Sequence, residues 1–233
     1  MVCGKDDKQR NANVTIIMNE ETLEEVDEFT YLGSIITKDG RSKREIRSRI
    51  RQAKIAFNKK KRLFISNNIE LCTRKRLLKA YVWSVALYGC ETWTVGKEER
   101  RRLESFENWC YRRMLKISWK DKITNEEVYQ KIGEKNDIWR SIKNRRTGLV
   151  GHILRHENMI KTILEGMTEG KRCRGRPRLH YMKQLMEDLN CTSYQELKRK
   201  AEKRADWKTA ADQSKRIEYL RRRSLLPKMV LIC

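Results

Sequence analysis

From Arg41 onward the chain sets apolar residues at helical spacing and fills most of the positions between them with cations. In residues 41–65 the apolar positions Ile46, Ile50, Ala53, Phe57 and Phe64 follow one another at intervals of 4, 3, 4 and 7, which is one stripe of a helix. The same segment carries eleven basic residues and one acid, Glu45. At about 100° per residue, Arg44, Arg51, Lys59 and Arg62 point away from the stripe. Such a segment is stable only when its stripe is covered, because a lone helix so rich in like charges is marginal in water.

The covering helices are legible downstream. Residues 71–88 predict a second helix whose end, from Ala80 to Tyr88, is apolar almost all round and therefore central and buried. Residues 97–117 predict a third, with Leu103, Phe106, Cys110, Met114 and Ile117 on one face and Arg112 and Arg113 off it. Three consecutive helices with short links form a bundle. Beyond a link at 118–123, Thr124-Asn125-Glu126-Glu127 has the form of a capping box opening a short helix that ends near Gly133. Asp137 starts another through about Arg155, its continuity weakened by Gly148 and Gly151. Residues 165–178 are the clearest break in the chain. Leu179, Met182, Met186 and Leu189 then mark one amphipathic helix, Ser193 caps the next, and Trp207 anchors a last one.

The front of the chain differs. Four basic and nine acidic residues leave residues 1–40 at −5, against +28 for the rest. Residues 14–18 form one β-branched run and residues 29–36 a second, closed by the turn Lys38-Asp39-Gly40. Two runs do not make a self-sufficient sheet, so this end is expected to be the edge of something larger or to pack on the helices that follow.

Apolar residues make up 39% of the 233 and charged residues 36%, with a net charge of +23. Self-repulsion on that scale calls for a polyanion, nucleic acid before an acidic membrane. No apolar run reaches the length of a spanning helix, and the polar start lacks the apolar stretch of a secretory signal. Seven cysteines without a CxxC pair argue against a disulfide framework or a zinc ribbon. An intracellular, nuclear protein is the expectation. His152 and His156 stand at i, i+4, but Arg155 would repel a cation and the zincin glutamate is absent. Asp6-Asp7 lacks a flanking strand to hold it rigid for two-metal work. No Ser/His/Asp set or phosphate-cradling glycine loop occurs in the sequence. No catalytic residue, metal or cofactor is therefore assigned.

Binding signals are stronger. Basic runs alternate with aromatics at Phe57 to Phe64, at Trp109-Cys110-Tyr111-Arg112-Arg113, and from Trp139-Arg140 to Arg145-Arg146. The aromatics are read as core and the charges as phosphate-neutralising. In Lys171-Arg172-Cys173-Arg174-Gly175-Arg176-Pro177-Arg178 the centre resembles an AT-hook, whose extended backbone lets arginines reach the floor of a narrow minor groove. Cys173 stands where the fuller motif has a proline.

Several ordered motifs carry a wider resemblance. They are residues 29–40 (Phe-Thr-Tyr-Leu-Gly-Ser-Ile-Ile-Thr-Lys-Asp-Gly), the basic helix, residues 81–93, Leu115-Lys116-Ile117-Ser118-Trp119, Gly151-His152-Ile153-Leu154-Arg155, and the Gly-Arg-Pro-Arg loop. Over about residues 12–215 the chain resembles the C-terminal part of non-LTR (LINE-like) retrotransposon reverse transcriptases. The resemblance implies that residues 29–36 correspond to the last palm strands, with Phe29, Tyr31, Leu32 and Gly33 in the primer-grip region. It also implies that residues 41–117 form the thumb, and that the duplex held is template RNA with a DNA primer. Polymerisation in that family needs a metal-binding aspartate pair on an aromatic-x-Asp-Asp hairpin. The resemblance begins downstream of it, so the chain is expected to be a non-catalytic remnant.

The expected fold is mainly α: an acidic hairpin region (1–40), a three-helix thumb-like bundle (41–120), a smaller basic helical unit with a basic loop (121–220), and a tail (221–233). The expected function is to clamp an RNA–DNA hybrid or duplex DNA without a polymerase site. Arg44, Arg51, Lys54, Lys59, Arg62, Arg112 and Arg113 would grip the template–primer. Arg145, Arg146, Arg174, Arg176 and Arg178 would hold flanking or target DNA. The alternatives are an accessory part that completes a polymerase in trans on a separate palm and fingers chain, or a pseudogene product that folds poorly.

Overall fold

β-Branched and aromatic residues open the described chain in two short hairpins, and amphipathic helices make up nearly all the rest, so the fold is mainly α. The computed structural model describes residues 17–18, 21–134, 137–166 and 181–212. These divide into two units, one ending at Trp139 and the other beginning at Arg140.

In the first unit, β1 (Ile17–Met18) pairs antiparallel with β2 (Glu21–Thr22), and β3 (Glu28–Tyr31) with β4 (Ser34–Thr37). Residues 29–36 are thus not one strand, as the sequence predicts, but a complete hairpin. The chain reverses at Leu32 and Gly33, which have φ of 47° and 78°, the two positive values that a tight two-residue turn demands. Phe29 faces Ile36 across the ladder, and Tyr31 faces Ser34.

The hairpin packs on α1 (Lys43–Lys59). Glu45, the one acid of the basic segment, is buried and accepts the Ile35 N–H at 2.8 Å. Its other oxygen pairs with Arg49 Nε at 2.6 Å, and Arg49 also donates to the Gly33 carbonyl. The Tyr88 hydroxyl donates to the Leu32 carbonyl at 2.9 Å. The turn is therefore clamped by side chains from two later segments.

Ile46, Ala53 and Phe57 are buried as the periodicity predicts. The helix does not run on to residue 65. It ends at Lys59 and restarts as α2 (Lys61–Ile65). Seven residues of unbroken helix would carry Phe64 about 10 Å along the axis from Phe57. The break at Lys60 instead stacks the two rings at 4.8 Å between centroids.

The second helical run comprises α3 (Leu71–Leu78), a π-helical turn (Lys79–Trp83) and α4 (Ser84–Ala86). Val82, Trp83, Ala86 and Leu87 are buried, but Tyr81 and Tyr88 are exposed, so the run is not apolar on every side as expected. The third helix, α5 (Lys97–Met114), supplies Leu103, Phe106, Cys110 and Met114 to the core. A chain of rings ties the three runs together: Phe57 to Trp109 at 5.1 Å, Trp83 to Phe106 at 5.8 Å, and Trp83 to Tyr111 at 6.2 Å. The helix α5 stops three residues before the predicted Ile117. Lys116, at φ 57°, donates to the Arg113 carbonyl and Ile117 donates to the Arg112 carbonyl, a Schellman closure.

After it, α6 (Asn125–Ile132) begins with the predicted capping box of Thr124 and Glu127 and ends at Gly133 in the left-handed region. The next helix, α7 (Asp137–Arg155), opens against a side chain from elsewhere. Buried Glu107 Oε1 accepts the Asp137 N–H at 2.6 Å, the Ile138 N–H at 3.3 Å and the Tyr111 hydroxyl at 3.2 Å. Asp137 in turn accepts from Trp83 Nε1 at 2.9 Å and Lys79 Nζ at 3.2 Å.

The second unit continues α7 from Arg140 and adds α8 (Met159–Glu165), α9 (Tyr181–Asp188), α10 (Tyr194–Glu202) and helical residues 204–212. Its core is Val150, Leu154, Leu185, Leu189, Leu197, Ala201 and Trp207. The helix α7 spans Asp137–Arg155 as the sequence predicts, and Gly148 and Gly151 do not interrupt it. Gly151 is where the Trp207 indole lies: a Cβ there would stand 2.2 Å from Trp207 Nε1, which donates to the Thr147 carbonyl at 3.0 Å.

Candidate nucleic-acid interface

The stripe that buries α1 leaves Arg47, Arg51 and Lys54 at i, i+4 and i+7 along one edge, where α1 meets α5. From α5 the positions Glu98, Arg101, Arg102, Ser105, Phe106 and Trp109 face the same space at the same helical rhythm. Together with Ile50 they line a groove of about 720 Å³. Five cations and one carboxylate share it.

The carboxylate is engaged. Glu98 lies 2.7 Å from Arg102, 3.1 Å from Lys43 and 3.7 Å from Arg47. The hydrogen bonds from Arg102 and Lys43 hold its carboxyl down to about 2. Arg51 and Arg101 are exposed and have no ion-pair partner among the described residues. The floor is aromatic: Phe106 is buried, and Trp109 is half-buried with Lys54 Nζ at 5.4 Å and Arg113 Cζ at 4.3 Å from its ring centroid. Exposed pairs are worth at most about 1 kcal/mol each, so this concentration of cations is not a source of stability. Chemically it is a cationic channel with a π surface at one end, suited to a chain of phosphates.

Of the sequence-predicted residues, the structure brings Arg51 and Lys54 into this groove, with Arg113 at the Trp109 end. Lys59 and Arg62 are exposed at the break between α1 and α2, where Lys60 lies 4.4 Å from the Tyr81 ring centroid. Arg44 turns toward the hairpin and pairs with Glu28 at 2.6 Å. Arg112 is half-buried, donating to the Ile123 carbonyl at 2.6 Å and to Asn125 Oδ1 at 3.0 Å, so its guanidinium fixes the start of α6. Phe29, Tyr31 and Leu32 present exposed side chains on the hairpin, and the Gly33 carbonyl is held by Arg49.

In the second unit Arg145 is exposed, but Arg146 is not a surface cation. It is fully buried over Tyr181 at 4.9 Å, donates to Gln184 Oε1 at 3.3 Å and stands 3.7 Å from Asp188. The expectation that Arg146 contacts DNA is corrected: adjacent residues on a helix point about 100° apart, and this one falls on the core side. Arg174, Arg176 and Arg178, with the AT-hook-like loop, lie outside the described residues.

Sequence reasoning missed Arg47, Arg101 and Arg102. The signal was available in the spacing, since Arg47 precedes Arg51 by one turn and Arg101-Arg102 precede Trp109 by two. The His152 and His156 rings lie 4.6 Å apart, and among the described residues no group of three metal-ligating side chains forms. Nor is any described helix long and apolar enough to cross a membrane.

Over 154 residues, 63% of its length, the chain is 29% identical to a transposon-derived protein of Caenorhabditis elegans. It spans about half the length of that relative, 53%. No family model matches the chain, and no solved structure matches it. The likeness fits a mobile-element origin.

Proposed function

We propose that this chain is the nucleic-acid-gripping part of a mobile-element protein of the non-LTR reverse transcriptase type. In this reading the edge shared by α1 and α5 lies along the phosphates of a template–primer or target duplex. The observation that carries the reading is the groove itself: Arg47, Arg51, Lys54, Arg101 and Arg102 converge on one space that contains a single, already neutralised carboxylate. Arg51 and Arg101 have no ion-pair partner among the described residues, so phosphate contact costs no existing pair. The similarity to a transposon-derived protein supports the origin, and the ordered motifs of residues 29–119 support the reverse transcriptase assignment. Gripping of this kind draws on electrostatics and shape and requires no catalytic group.

The test is competitive binding of duplex DNA, RNA–DNA hybrid and single strands at several salt concentrations. Six to ten phosphate contacts would lower affinity roughly 10³–10⁵-fold between about 50 and 200 mM salt. The double variant Arg51→Ala/Arg101→Ala is expected to weaken binding of every duplex about equally and to lower the salt slope by about two, one for each phosphate contact removed. A salt-independent affinity, or a double variant with the wild-type slope, overturns the reading.

A further inference from the structure

Trp119 is 84% exposed, the most exposed large apolar side chain among the described residues. It sits on a single 3₁₀ turn, Trp119–Asp121, which the surrounding chain holds in place from both sides. Upstream, the Schellman closure of α5 puts Lys116 in the left-handed region, and Arg74 donates to the Met114 carbonyl at 3.1 Å. Within the turn, Ser118 and Asp121 form a capping box, with the Ser118 N–H donating to Asp121 Oδ2 at 2.6 Å. Downstream, Lys122 is again left-handed at φ 49°, and Arg112 holds the Ile123 carbonyl. Two lysines in a backbone region that disfavours side chains are tolerated here only because these bonds over-determine the loop.

The loop thus fixes the backbone that presents an indole to water and forgoes its burial. Lys120 Nζ lies 5.9 Å from the ring centroid, and the exposed Lys116, which donates to Asn67 Oδ1 at 3.1 Å, and Lys122 belong to the same loop. The one carboxylate of the turn, Asp121, is taken up by the Ser118 amide. A flat π surface set among cations matches an unpaired nucleobase flanked by phosphates, since every base has a face to stack and every linkage a charge to neutralise. A lipid surface would also meet cations and an indole, but interfacial anchors bury a broad apolar face. Here a lone indole stands out, with its neighbours Ile117 and Ile123 half-buried.

We propose that Trp119 is a stacking platform for an unpaired base, so that the chain binds a single-stranded segment at the loop 115–123. This rests on the reading of the chain as nucleic-acid-binding and names a second kind of ligand for it.

The test is fluorescence anisotropy of the full chain with a labelled single-stranded oligothymidine and, separately, a labelled blunt duplex. Trp119→Ala is expected to weaken the single strand roughly ten-fold or more, the range found for loss of one base–aromatic stack, and to leave the blunt duplex unchanged. Trp119→Phe retains most of the single-strand affinity. Unchanged single-strand affinity in Trp119→Ala overturns the proposal while leaving the groove reading intact, provided Arg51→Ala/Arg101→Ala still loses duplex affinity. Equal losses on both ligands overturn it too. Loss of binding to phosphatidylserine vesicles, with oligonucleotides unaffected, assigns the indole to a membrane instead. A chain that binds no oligonucleotide at all removes the functional reading and this proposal together.

Discussion

Glu107 shows how one buried side chain can join two helices that the sequence presents separately. It leaves α5 to accept the first amides of α7, and its second oxygen, Oε2, has no hydrogen-bond partner among the described residues. Burial pushes its carboxyl up to about 7, although the Asp137 and Ile138 amides pull the other way. The sign follows from the raised value. Folding favours the protonated acid, so the contribution of Glu107 to stability is fully present below about 4.5 and is lost as pH rises from there through 7. A shift of that size corresponds to about 3 kcal/mol across the window. Glu107→Gln keeps an acceptor for the two amides and does not titrate. Denaturant unfolding at a series of pH values is therefore expected to show a flatter profile between about 4.5 and 7 in the variant than in the wild type. Parallel profiles would refute the assignment. The same kind of surprise attaches to Glu45 and Arg49. Both are charged residues of a basic helix that lie buried beneath the hairpin, where Glu45 accepts the Ile35 N–H and Arg49 donates to the Gly33 carbonyl of the turn.

At the scale of an element, periodicity located the helices well, and their ends were legible wherever local chemistry sets them. Thr124 with Glu127 and Ser193 with Glu196 make the expected caps, because a capping bond spans only three residues. The break at Lys60, the π turn at Lys79–Trp83 and the early end of α5 were not legible, since no glycine or proline marks any of them. Glycine is the sharpest case. Gly148 and Gly151 look alike in the sequence, but a Cβ at Gly148 would meet nothing within 4 Å and one at Gly151 would strike the Trp207 indole. Gly148→Ala is accordingly expected to stabilise by up to about 1 kcal/mol through helix propensity. Gly151→Ala is expected to cost about 1–3 kcal/mol by displacing the indole from its site. Thermal melts of the two single variants, run side by side, check the opposite signs.

For the whole molecule the dominant quantity is the net charge of +23, the sum of −5 over residues 1–40 and +28 beyond them. That charge repels itself in the folded state and attracts polyanions, so salt acts on the two properties in opposite directions. Raising ionic strength from low values is expected to raise the melting temperature of the free chain, while it lowers affinity for duplex DNA. A melting temperature that falls with added sodium chloride, measured without nucleic acid, would contradict this account of the charge.

The sequence by itself determined the helical class, the β-forming runs at its front, the cationic character and the stripe of each helix, because these depend on composition and on short spacings along the chain. Only the tertiary structure decided which cations meet. Arg51 and Arg101 come to share one groove, while Arg146, beside exposed Arg145, is drawn into the core of the second unit. The physical reason is that a side chain's surroundings are set by packing between segments tens of residues apart, whereas its own helix fixes only the direction in which it points.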